Sequence, residues 1–305
     1  MKNKKLFKFG ETRSLFRTDS DSEPSSSSEE ESNENDNNDL DECNVSNDDF
    51  ISVTSNNGDV IKLHQDRLKG IAHHIWPAAI HLCKYLEDNI NDLENSFNSN
   101  SNCDQDMKFN NTPIIELGAG IGLCGIFCSK ILYSPQVHIT DLEEAMLIIN
   151  ENIELNHGLF PSDELGTIRA VPLDWFDRTA VKSILDSICV PIANTVTNTI
   201  DTVDTVNTTG IEPIIPRRPI VIAADCVYFE HLFEPLYHTL SEFVAMGCIV
   251  IMCHVRRWKR DNKFFTMCRK TMKCEVLNED IQYIPDENTG DLRKTITRMY
   301  KFSSL

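Results

Sequence analysis

The sequence predicts an α/β fold: a mostly parallel sheet covered by helices on both faces. Three observations predict it. Short β-rich runs alternate with longer stretches of helical apolar spacing from Ile114 to Phe302, the pattern of repeated βα units. The run IVIAA at Ile220–Ala224 is apolar throughout rather than alternating, as befits a strand buried on both faces. Runs also end in an acid or a glycine cluster where the chain turns, as in IIELGAGIG and VIAAD. In parallel sheets, ligands sit at those carboxyl ends.

The elements follow in order. FISVTSNNGDVIKL reads as a hairpin around Asn57-Gly58, a pair that accepts positive φ. Helical spacing runs over 75–86, with Pro77 in the first turn or marking a kink. Residues 88–111, rich in Asn, Asp and Ser, read as a loop. Strands are predicted at 114–117, 136–140, 167–171, 220–224 and 248–255, and helices at 122–132, 143–156, 230–244 and 258–270. Segments 273–277 and 294–302 close the chain as two antiparallel strands. The Thr-rich TVTNTIDTVDTVNTTG, within about 190–218, interrupts the pattern. It reads as a surface insertion, with a lid as the alternative.

Composition divides the 305 residues in two. From Asp19 to Asp49 there are thirteen acids and no Lys or Arg, mixed with Ser and Asn. Such a segment has too little apolar surface to offset its ordering entropy. Residues 1–48 are therefore expected to form a disordered acidic tail, either simply solvated or regulated by phosphorylation around Ser20 and Ser22. The start MKNKKLFKF lacks the clear basic amphipathic pattern of a mitochondrial address. Residues 49–305 make one domain that is itself acidic, which argues against a nucleic-acid partner. No apolar run approaches the ~18 residues of a membrane span. None of the eleven cysteines forms a CxxC or a zinc spacing. They read as small buried hydrophobes in a reducing compartment, the cytosol and also the nucleus.

The strand ends carry the chemistry. In IIELGAGIG, Glu116 is followed by Gly118, Ala119 and Gly120; glycines let backbone approach a ligand. Leu123 stands where a dinucleotide fingerprint needs its third glycine, and Glu116 would repel a pyrophosphate. A ligand with a cationic end and no phosphate fits better, and S-adenosylmethionine is one. Asp141 ends the next strand, placed to accept ribose hydroxyls or to cap the helix after it. Trp76 and Trp175 read as core, or as aromatic walls for an adenine. Asp225 and Tyr228 follow the 220–224 strand, either to hold a cation or as helix cap and packing residue.

Here the sequence resembles the seven-β-strand methyltransferases, and within them methyltransferase family 16, the methyltransferase-like 21 group of protein-lysine methyltransferases. IWPAA, ELGAGIGLCG, ITDLEEA, LDW and AADCVYFEHLFEPL carry the resemblance, which covers about residues 50–305. The DxxY followed by Glu is its most specific part. The resemblance implies a Rossmann-like class I methyltransferase sheet of order 3-2-1-4-5-7-6. It places Trp76, Gly118, Ala119, Gly120, Asp141, Trp175 and Ala224 around S-adenosylmethionine. The sequence departs from the family in Pro77, where an Asp is common, in the acidic tail and in the Thr-rich insertion.

That resemblance gives Asp225 and Tyr228 a task. A lysine amine has a pKa near ~10.4, so about one in 10³ is neutral at pH 7. A carboxylate and a phenol can hold the ammonium, orient it and help its proton leave. The expected activity is protein-lysine N-methylation by a monomer. The alternatives are methylation of Arg or His, or a non-catalytic binding protein on the same fold. RRWKRDNKFF, at 256–265, reads as a solvated helix start or as a docking patch for an acidic partner surface. Its resemblance to the segment of the member that methylates 70-kilodalton heat-shock chaperones makes such a chaperone the expected partner, with a translation factor as the other.

Overall fold

A computed structural model describes residues 6–8, 50–98, 107–157, 167–188, 218–285 and 292–305. Strand β2 (Phe50–Thr54) pairs antiparallel with β3 (Val60–His64), and the turn between them holds Gly58 at φ 90°. A three-residue strand β1 (Leu6–Lys8) runs parallel to β2. These three residues lie within the segment expected to be a disordered tail, and the rest of 1–48 lies outside the described residues. Leu6 and Phe7 are apolar residues within that segment, and the open edge of β2 offers Leu6–Lys8 unpaired backbone groups. The acidic stretch itself and the Thr-rich insertion lie outside the described residues.

Helix α1 (Pro77–Asp88) begins with Pro77 at its first position, where the missing N–H costs nothing. Helix α2 (Ile90–Asn98) occupies part of the segment read as a loop. Ile90, Leu93 and Phe97 recur at i, i+3 and i+7, and Leu93 and Phe97 are buried. The Asn, Asp and Ser between them mask that spacing.

The main sheet contains β4 (Ile114–Leu117), β5 (Gln136–Asp141), β6 (Thr167–Pro172), β7 (Ile220–Ala224), β8 (Ile249–Arg256), β9 (Lys273–Pro285) and β10 (Leu292–Ser303). Its order is β6-β5-β4-β7-β8-β10-β9, which is 3-2-1-4-5-7-6 counted from β4. The first five strands are parallel, and β10 is antiparallel to both neighbours. The remaining helices are α3 (Leu123–Lys130), α4 (Met146–Leu155), α5 (Ala180–Ile188), α6 (Phe233–Ala245) and α7 (Asp261–Cys268). Helix α5 is absent from the predicted elements, although Val181, Ile184, Leu185 and Ile188 give it a full apolar stripe.

Strand pleat assigns side chains to the two faces. Ile114, Ile220, Ile222 and Ile251 pack with α1, α3 and α4, whereas Ile115, Val221, Ala223 and Val250 pack with α5, α6 and α7. Two asparagines of the α4 end tie the hairpin to this body. The Asn152 side chain accepts from His64 N at 2.6 Å and donates to His64 O at 3.0 Å and Ile121 O at 2.9 Å. Asn156 accepts from Lys62 N and donates to Lys62 O. Both amides thus satisfy the edge of β3 as another strand would. The described cysteines are free, and all but Cys274 are buried. Among the described residues, no helix is long and apolar enough to cross a membrane.

Candidate active site

Strand order reverses between β4 and β7, where an open α/β sheet leaves a crevice. A cavity of about 420 Å³ lies there. Trp76, Glu116, Gly118, Ala119, Gly120, Asp141, Trp175, Ala224, Asp225 and Tyr228 all line it.

Glu116 ends β4 and is 2 % exposed. It accepts from the N–H groups of Cys124 at 3.2 Å and Gly125 at 2.7 Å, in the first turn of α3. Gly125 permits this approach, since a Cβ there would lie 2.8 Å from the Glu116 carboxylate and 2.5 Å from Ile139. Sequence reasoning missed Gly125, although it stands in the quoted GLCG. Burial pushes the Glu116 carboxyl up to about 8, against the pull of those two donors.

The loop after β4 turns on Gly118 and Gly120, at φ 58° and 57°, where a side chain would be strained. Asp141 holds this loop. Its Oδ2 accepts from Gly120 N at 2.7 Å and its Oδ1 from Leu142 N at 2.7 Å. It does not cap the next helical turn, whose N-cap is Leu142. Each oxygen keeps a lone pair for a ligand hydroxyl. Burial raises this carboxyl too, opposed by the same two hydrogen bonds. A Gly118 Cβ would come 2.9 Å from Cys226 Sγ and 3.0 Å from the Trp175 ring, so glycine lets the loop lie close to both. Trp76 stands across the cavity as the N-cap of α1, its indole donating to Ile71 O at 2.9 Å. Neither Trp76 nor Trp175 is fully buried, and both form cavity wall.

Asp225 leaves β7 in the left-handed region, at φ 61°, and is 6 % exposed. It caps no helix; the N-cap of the following turn is Phe229. Both its oxygens are taken by Arg257, with Nη1 to Oδ1 at 2.8 Å and Nη2 to Oδ2 at 2.5 Å. The same guanidinium lies 5.2 Å from the Trp76 ring centroid, a cation–π distance. Burial lowers the Arg257 pKa, but the Asp225 and Asp261 carboxylates together outweigh it and raise it. Half-buried Tyr228 packs beside Phe229, and burial pushes its phenol up to about 12.

Arg257 was expected on the rim, in a docking patch or a solvated helix start. Its side chain instead turns into the cavity, because Asp261 folds the turn after β8. Asp261 Oδ2 accepts from the backbone N–H groups of Arg257 and Trp258, each at 3.1 Å. His254 Nε2 lies 3.4 Å from the same oxygen. Elsewhere in the patch, Arg260 stacks over Trp258 and Lys263 pairs with Glu230.

The set suits S-adenosylmethionine. Glu116 lies where a cationic end can be held, Asp141 suits ribose hydroxyls, and Trp76 and Trp175 offer aromatic walls. A phosphate would meet Glu116 and Asp141.

Comparisons with known proteins agree. A family profile described as "Lysine methyltransferase" matches residues 55–215 and 210–271. Protein N-lysine methyltransferase METTL21A of Xenopus tropicalis is 27% identical over 75% of this chain and 79% of its own length. That of Danio rerio is 26% identical over 73% and 78%. EEF1A lysine methyltransferase 3 of Xenopus tropicalis is 33% identical, over 32% of this chain and 35% of its own. Among solved structures, M. jannaschii TYW2 in complex with AdoMet overlaps 84% of this chain and 87% of that one at 15% identity, with a TM-score of 0.41. The sheet order, the cavity at its switch point and a profile matching more than half the chain lead to one assignment: the chain belongs to the lysine methyltransferase family, with S-adenosylmethionine as cofactor.

Proposed function

We propose that this enzyme methylates a lysine of a folded protein partner, of the chaperone or translation-factor kind, with Asp225 and Tyr228 handling the amine. The observation that carries the reading is the Asp225–Tyr228 pair on a cavity whose neighbouring wall suits the cofactor. When bound, the cofactor supplies an electrophilic methyl group on a sulfonium. Glu116 and Asp141 would hold its charged and ribose ends, and the two tryptophans would exclude water from it. Asp225 offers charge to the incoming ammonium, and the Tyr228 oxygen accepts a hydrogen bond from it. With its phenol pushed up to about 12, Tyr228 stays protonated at neutral pH, so it orients rather than deprotonates. The ammonium proton leaves to water, and the freed lone pair is held in line for attack.

Support for a protein-lysine substrate comes from the relatives' names, which include a protein N-lysine methyltransferase and an EEF1A lysine methyltransferase. The same proposal places the enzyme in the cytosol and nucleus, since buried free thiols such as these persist in reducing compartments. The test is incubation with labelled S-adenosylmethionine and a lysate of the protein's own cells, then mass-spectrometric mapping of the labelled site. Label on a lysine of a chaperone or translation factor is expected. Label confined to histidine or arginine would overturn the lysine reading. Arginine has one observation in its favour: Asp225 already binds a guanidinium.

A further inference from the structure

We propose that Arg257 occupies the acceptor position on Asp225 in the resting enzyme and is displaced by the substrate lysine, making it a specificity-determining residue. The inference rests on the reading of Asp225 as partner of the acceptor amine.

Its basis is what surrounds the guanidinium. It sits between a carboxylate, at 2.8 and 2.5 Å, and an aromatic face, at 5.2 Å. A lysine ammonium entering the cavity needs the same two partners. Asp225 is nearly inaccessible, with a side chain 3 % exposed, whereas the Arg257 side chain is 23 % exposed. Of the two, the arginine has the route out. Its backbone is pinned by the N–H bond to Asp261, so only the side chain has to swing.

Energetics favour an exchange over a simple opening. A buried carboxylate left without its counter-ion is strongly unfavourable. Replacing one cation by another keeps Asp225 paired in both states. Arg257 also competes as a tethered group, at an effective concentration no free amine reaches. A lone lysine or short peptide must overcome that competitor unaided. A docked protein partner brings binding energy from the rest of its surface. The arrangement therefore selects lysines presented by a bound protein.

The experiment uses the full chain loaded with S-adenosylhomocysteine and titrated with n-butylammonium chloride, against sodium chloride at equal ionic strength. The indole N–H signal of Trp76, whose ring lies under Arg257, reports binding by NMR. In Arg257→Met, butylammonium should bind at least tenfold tighter than in the wild type, with S-adenosylhomocysteine affinity unchanged. Arg257→Met leaves Asp225 with only the His254 ring, whose Nδ1 lies 3.9 Å from Oδ1, and can fail to fold. Arg257→Lys keeps the charge but loses the two-pronged contact, and should also bind the probe tighter, by a smaller factor. Removing even a merely structural arginine would free Asp225 for a cation, so the wild type decides: at saturating butylammonium its Trp76 indole signal should move toward the position it has in Arg257→Met, and no such movement overturns the proposal. Equal or weaker binding in the folded variants overturns the proposal. Tighter binding in the variants with no lysine labelled in the lysate leaves the exchange standing and removes the lysine reading instead.

Discussion

Replacing Glu116 by Gln should change how many protons the enzyme exchanges when it takes up its cofactor. Burial pushes this carboxyl up to about 8, from an ordinary 4.5. At pH 7 about nine in ten of the cofactor-free molecules then carry the proton. A cationic cofactor beside Glu116 favours the ionised form, so binding should release about 0.9 of a proton at pH 7. Over pH 6–8, wild-type affinity should rise by up to about tenfold per unit relative to Glu116→Gln, then level off above 8. Stability has the opposite sign. Between 4.5 and 8 the folded chain keeps a proton that the unfolded chain has released. The cofactor-free protein therefore loses stability as pH rises through that window, by at most about 5 kcal/mol at 1.36 kcal/mol per unit. The amide has one acceptor oxygen, so either Cys124 N–H or Gly125 N–H would face an NH₂ group, costing ~1–3 kcal/mol. That cost does not depend on pH, so the slopes are the clean comparison. Calorimetry in two buffers of different ionisation enthalpy counts the protons, and the difference between the two proteins removes the cofactor's own amine. Equal proton counts in the two proteins, or parallel pH profiles, would refute the reasoning.

Three further outcomes follow from the same geometry. Asp141→Ala should weaken cofactor binding at least tenfold by calorimetric titration, because the ribose loses a charge-assisted acceptor worth ~1.5–3 kcal/mol and Gly120 N loses its partner; unchanged affinity would remove Asp141 from the site. Asp225→Asn tolerates the left-handed backbone and keeps the shape, yet single-turnover methylation should fall about 10²-fold. Cofactor affinity should stay within about threefold, and near-normal turnover would sink the proposed role. Gly118→Ala adds a Cβ 2.9 Å from Cys226 Sγ at φ 58°, costing ~1–2 kcal/mol in backbone strain before any clash. A melting temperature lower by several degrees is expected, and an unchanged one would mean the loop has room to move.

The sequence by itself determined the sheet and which residues gather at its carboxyl ends. Strands such as IVIAA are short, apolar and bounded by turns, so local information is enough. The glycines and acids at strand ends were equally legible, because any parallel sheet gathers those ends on one side. All ten residues singled out do line one cavity. Helices α2 and α5 carried their apolar stripes in the sequence, but in polar or Thr-rich surroundings that hid them.

Only the tertiary structure decided the partners. Arg257 meets Asp225 across 32 positions because β7 and β8 lie side by side. Their carboxyl ends then share one rim, and Asp261 folds the turn that aims the guanidinium inward. From sequence alone, Arg257 was one basic residue among several. Glu116 likewise reads only as a strand-end acid, until α3 brings Gly125 N–H against it and buries it. Chain composition sets which groups a site contains. Their charge state and their occupants depend on burial and on neighbours distant in sequence, and those exist only once the sheet has formed.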